Sequence, residues 1–182
     1  MSRGRVSSTL SFDVAAVATR LLKHDERIEN DVILRDRMDV AATVEQVWEV
    51  LADPALMELW NPKCVSCTVS GGPARVGLRY QASFRLSGPE QKTNCEIIDC
   101  RPCEVLVTRM AVNHPTSPGY VDETFRLSPR GAGARIEHEV DFAHSGLPRW
   151  LMAFMKVLDV VGRKAGKSSL DGIRELLEPG PT

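Results

Sequence analysis

The chain has 182 residues, of which 43% are hydrophobic, with 23 Lys plus Arg set against 24 Asp plus Glu. That suits one domain with a substantial core, and the balanced charge without a basic run excludes the counterion-releasing surface that nucleic acid requires of a partner. No membrane span is expected either, because the apolar stretch 147–161 carries Arg149, Lys156 and Asp159, which lipid would have to bury.

Residues 1–30 form an N-terminal appendage, with helical spacing at Phe12, Ala16, Leu21 and Leu22. Its apolar run 14–18 is too short for a signal-peptide core. The main domain, 31–178, opens with a period-2 strand over 31–41, in which Val32, Leu34, Met38 and Val40 alternate with polar positions. Thr43 and Gln46 then form a capping box ahead of the stripe Val44, Val47, Trp48 and Leu51. Asp53 with Pro54 starts a second short helix, which must stop near Trp60 because Pro62 disfavours helical geometry at Asn61.

From residue 65 the period is two again. Strands are predicted over 65–69, 78–86, 92–98, 104–112, 120–127 and 134–142, separated by Gly-Pro or Pro-containing breaks at 71–73, 101–102, 115–118 and 129–133. With the first strand this makes seven antiparallel strands. After Gly146 the helical period sets in and is read as one long helix to about Leu177, leaving 179–182 as a tail.

The segments Met38-Asp39-Val40-Ala41-Ala42-Thr43-Val44-Glu45-Gln46-Val47-Trp48, Leu51-Ala52-Asp53-Pro54, Leu59-Trp60-Asn61-Pro62, Ser70-Gly71-Gly72-Pro73 and Val76-Gly77-Leu78-Arg79-Tyr80 resemble the START-like helix-grip (SRPBCC) superfamily. The likeness is to its polyketide cyclase/dehydrase and lipid-transport branch. It implies an α+β helix-grip fold, with a curved seven-stranded antiparallel sheet wrapped around a long C-terminal helix and two short helices after the first strand. It also implies a cavity for an apolar ligand. Gly162, Gly166 and Ser169, at i, i+4 and i+7 on the long helix, form a smooth stripe that either makes room for that ligand or lets helix and sheet pack closely.

The candidate binding residues are mostly polar or aromatic side chains on apolar strand faces. Glu123 and Phe125 share a face with Val121 and Leu127, and His138 shares one with Ile136 and Val140. Asp36 sits between Leu34 and Met38, while Tyr80 and Phe84 share a face with Leu78 and Ala82. Trp60 is a candidate for the cavity rim. Buried polar groups need partners, so these positions are an internal network or a ligand-orienting set. A hairpin pairing Leu127 with Ala134 puts Glu123 opposite His138; a shift by two leaves the pair diagonal and still in reach.

Cys64-x-x-Cys67 and Cys100-x-x-Cys103 can in principle supply four thiolates to zinc. Their 32-residue separation is long for a compact zinc ribbon, so unligated thiols are the preferred reading and no metal is expected. An odd cysteine count fits reduced thiols in the cytoplasm. No nucleophile elbow, phosphate loop or dinucleotide fingerprint is present, and no cofactor is expected.

Three functions remain. The first is a carrier or sensor of a hydrophobic small molecule. The second is a polyketide aromatase/cyclase-type enzyme, in which His138, Glu123, Asp36 or Tyr80 moves protons. The third is an interaction module built on the N-terminal helix. The sequence leaves the oligomeric state open.

Overall fold

The computed structural model describes residues 32–85, 89–112, 118–146 and 167–179. Alternating apolar residues give seven strands: β1 (Ile33–Val40), β2 (Cys64–Val69), β3 (Arg79–Phe84), β4 (Gln91–Arg101), β5 (Val105–Val112), β6 (Gly119–Arg130) and β7 (Gly133–Asp141). They form a single antiparallel sheet in the order β1-β7-β6-β5-β4-β3-β2. Irregularities at Cys64/Ser66 and Ile97/Asp99 break the pairing on β2 and β4, and bulges of this kind bend a strand and increase its twist.

Between β1 and β2 lie α1 (Val44–Leu51), a 3-10 turn (Pro54–Leu56) and α2 (Met57–Trp60). The expected capping box is formed, with Thr43 N–H donating to Gln46 Oε1 at 2.9 Å and Gln46 N–H to Thr43 Oγ1 at 3.4 Å. Asp53 Oδ1 accepts the Ala55 N–H at 3.0 Å, so the second short helix begins where the sequence places it, but its first turn is 3-10. Buried Val47, Leu51, Met57 and Trp60 join Ile97, Phe125, Ile136 and Ile173 in one core. These helices lie on the face of the sheet that carries Phe125, called the inner face below.

The last helix, α3 (Ser169–Leu177), corrects the expectation of unbroken helix to Leu177. Ser168 is an extended N-cap (φ -83°, ψ 166°), whose Oγ accepts the Asp171 N–H at 3.1 Å while Asp171 Oδ2 accepts the Ser168 N–H at 2.9 Å. Gly162 and Gly166 lie outside the described residues.

The Ser168 N–H holds the Asp171 carboxyl below the ordinary aspartate value of 3.8. A depressed folded-state pKa adds stability that is present above the unfolded value and lost as pH falls through the folded one. Asp171→Asn is therefore expected to cost at most about 1 kcal/mol at neutral pH. Urea unfolding at pH 7 and pH 3 checks this, because the gap between parent and variant should narrow at the lower pH.

The β6-β7 hairpin departs from the expected register by two. Pro129 does not end β6; it pairs with Ala134, and the strands close at Arg130 opposite Gly133. The Leu127 N–H donates to Glu104 O at 2.8 Å, just before β5 begins. Two residues on, the donor side of position 129 lies past the end of β5, so proline's missing N–H removes no ladder bond. Gly131, with φ 61°, supplies the left-handed first position that a two-residue turn of this kind needs.

Candidate functional site

Strand pairing brings the polar outliers of the inner face into one row across the sheet. Asp36 on β1 is opposite His138 on β7, Phe125 on β6 is opposite His138, and Glu123 is opposite both Val140 and, on β5, Thr108. Glu123 and His138 are thus diagonal rather than directly opposed, and their side chains still meet, with His138 Nε2 2.8 Å from Glu123 Oε1. Both are largely hidden: the side chains are 9% and 15% exposed, respectively. Phe125, Val140 and Ile136 adjoin them on the same face along with Asp36 and Thr108, and each of the pair supplies a polar contact that burial demands of the other.

Two aromatics extend the row. The Phe125 ring stacks on His138 at 4.5 Å between centroids with planes 15° apart, and Trp60 meets Phe125 edge to face at 5.7 Å and 87°. Trp60 is therefore not at a rim. It is 3% exposed and lies in the core, held there by α2.

On the other side of Glu123, Tyr80 on β3 is level with Cys95 on β4 and neighbours Thr108 on β5. Burial pushes the Tyr80 hydroxyl well above the usual tyrosine range and lifts Cys95 to about 12, so both are protonated at neutral pH. Thr108 and Cys95 were not singled out in the sequence. The signal for Thr108 was weak, because β5 reads Val-Leu-Val-Thr-Arg-Met-Ala-Val and neither alternate set is clearly the wet one.

Asp36 reaches the same row at its edge, but its Oδ1 accepts the Arg37 backbone N–H at 2.8 Å. Phe84 is half-buried at the far end of β3, beside Cys64 and Gln91. The structure thus joins Trp60, Phe125, His138, Glu123 and Tyr80 in one neighbourhood, with Asp36 beside it and Phe84 remote.

The four-thiolate site is not assembled. Cys64 starts β2 level with Phe84 and Gln91, whereas Cys100 lies near the opposite end of β4, roughly 25–30 Å along the strand at about 3.3 Å per residue. Cys103 sits in the β4-β5 turn with φ 62°, and among the described residues no three potential metal ligands cluster. Burial is the main cause that raises both Cys64 and Cys67 to about 11, with the Glu58 carboxylate adding to it. Native-state alkylation at pH 8 is expected to label these two about two orders of magnitude more slowly than a free thiol, since only the thiolate reacts. Peptide mapping after an iodoacetamide time course reads this out, and labelling at the free-thiol rate would show these thiols to be more open than described.

Two troughs of about 500 and 610 Å³ are also outlined mainly by outer-face residues, with Asp36 and His138 bordering the first and Tyr80 and Cys95 the second. Charge ladders run along both. Arg35 pairs with Glu139 at 2.7 Å, and Arg109 holds Asp122 through two hydrogen bonds of 2.8 Å while lying 3.9 Å from the centre of the Tyr120 ring. Exposed pairs of this kind contribute little each.

A single antiparallel sheet with helices and a polar row on its inner face defines an α+β protein of the helix-grip class. The chain belongs to the polyketide cyclase / dehydrase and lipid transport family, whose model matches residues 31–178. No match was found among curated proteins. Among solved structures, protein CV1439 from Chromobacterium violaceum superposes with a TM-score of 0.60 at 22% identity, covering 81% of this chain and 97% of that one. Ara h 8.0201 gives 0.57 at 14% identity, over 81% and 97%. DynU16, from the dynemicin biosynthetic locus, gives 0.54 at 18%, over 81% of this chain and 48% of its own. At these identities the likeness is one of fold. Among the described residues no helix is long and apolar enough to cross a membrane.

Proposed function

We propose that the protein binds a small hydrophobic molecule, lipid or polyketide-like, against the inner face of the sheet. The observation that carries this reading is the buried Glu123–His138 contact at 2.8 Å on the face of the sheet that packs the core. Well-packed hydrophobic residues would serve stability there as well or better. A polar pair at that place suits a site that must orient an oxygen-bearing ligand within an apolar pocket, and the family description, which includes lipid transport, agrees. Native mass spectrometry of freshly purified full-length protein is expected to show a co-purifying apolar molecule, released on denaturation. Folded protein that carries none and takes up no apolar fluorescent probe would contradict binding.

The same contact supports a second reading, a cyclase-type enzyme. A carboxylate on one imidazole nitrogen fixes the tautomer and leaves the other free to move a proton. Turnover of a poly-ketone substrate that is lost in His138→Ala, with ligand uptake retained, would favour catalysis over carriage.

A further inference from the structure

Trp60 has a buried donor without an acceptor. The residue is 3% exposed, and its Nε1 is the one buried side-chain nitrogen or oxygen among the described residues that lacks a hydrogen-bond partner. Indole N–H is a donor only, and a donor taken out of water and left unpaired weakens the fold. A phenylalanine would fill much the same space without that penalty. Yet the ring is fixed: it packs edge to face on Phe125, which stacks on His138, which in turn contacts Glu123. Indole, phenyl and imidazole therefore form one aromatic row, with an unused donor in its first member and a satisfied acid–base pair at its other end.

We infer that Trp60 Nε1 is a specificity-determining donor that takes a carbonyl oxygen of the bound molecule, a step that rests on the binding reading above. The bare acceptor matters. A hydroxyl would bring a proton needing an acceptor of its own, whereas a ketone or ester oxygen completes the indole N–H and leaves nothing unpaired. Trp60, Phe125 and His138 make the surroundings of that donor aromatic, which favours a planar, ring-bearing body attached to the carbonyl.

Two probes of matched size separate the possibilities: 2-acetylnaphthalene, which carries the carbonyl, and 2-ethylnaphthalene, which does not. Full-length protein is expected to bind the ketone about tenfold more tightly than the hydrocarbon, a ratio within the range of one net hydrogen bond. Trp60→Phe, which keeps an aromatic ring against Phe125, should bring the two affinities together by removing the ketone's advantage. In the parent, the assigned Trp60 indole N–H resonance should move downfield with the ketone and stay in place with the hydrocarbon, a readout that does not depend on the variant folding. Equal binding of the two probes by the parent overturns the inference but leaves apolar binding intact. A ketone preference that survives Trp60→Phe, or an unmoved indole N–H, places the donor elsewhere and also overturns it. If neither probe binds, the binding reading fails and the inference falls with it.

Discussion

Gly172→Ala is expected to destabilise the protein by about 3 kcal/mol and to lower its melting temperature by roughly 6–12 °C. In an exposed helix the same change would help, since alanine is favoured over glycine by about 1 kcal/mol. Here a Cβ at position 172 would stand 1.9 Å from Trp60 O and 2.7 Å from Trp60 C. The obstacle is backbone, so no side chain can swing aside, and α3 must move off α2. Ile173 and Leu170, both buried beside it, would lose contacts as it moves. Thermal and urea unfolding measure the loss. A variant as stable as the parent would mean that α2 and α3 are farther apart than described. Because α2 carries Trp60 into the core, the near-ultraviolet dichroism of the variant should change as well.

Separating the Glu123–His138 pair should have the other large effect. His138→Leu, close in volume, leaves a buried carboxylate without its partner and Glu123→Leu leaves an imidazole in the same position; each is expected to cost about 3 kcal/mol. The double variant Glu123→Leu/His138→Leu removes both polar groups together and should lie within about 1 kcal/mol of the parent, because neither partner is then stranded. Additive losses in the double variant would show that the two side chains stand in the core independently and would remove the contact on which the functional proposal rests. A folded double variant should keep hydrocarbon-like probes and the ketone preference assigned to Trp60 but lose its preference for hydroxyl-bearing ones, which distinguishes an orienting pair from a purely structural one.

The elements most legible in the sequence are those fixed within a few residues. The Thr43/Gln46 box depends on a spacing of three, and both of its hydrogen bonds are present. Asp53 with Pro54 starts its turn because an acceptor side chain and a ring with preset φ act on the next residues alone. The inward set Val121, Glu123, Phe125, Leu127 follows from a period of exactly two, so one correct assignment of the face settles all four. Ser168 could have been found in the same way, since Ser-x-x-Asp is a local signal. The helical period around it drew attention away from the cap.

What the sequence by itself determined, then, is the order of the elements, which side chains share a face, and the helix-grip class. The tertiary structure alone decided which residues meet. The β6-β7 register moved by two because Pro129 lies beyond the end of β5, and no pattern within β6 records where another strand stops. The two Cys-x-x-Cys pairs fell at opposite ends of the sheet because β2, β3 and β4 reverse direction between them. Cys95 joined Tyr80 because β3 and β4 bring them level, and Thr108 lies two residues along on β5, opposite Ile97. Trp60 proved to be a buried donor rather than a rim residue because Gly172 lets α3 rest on its backbone while Phe125 receives its ring. Each of these outcomes depends on contacts between residues far apart in the chain, and the free energy of such contacts is set by the shape of both partners, which neither local stretch contains.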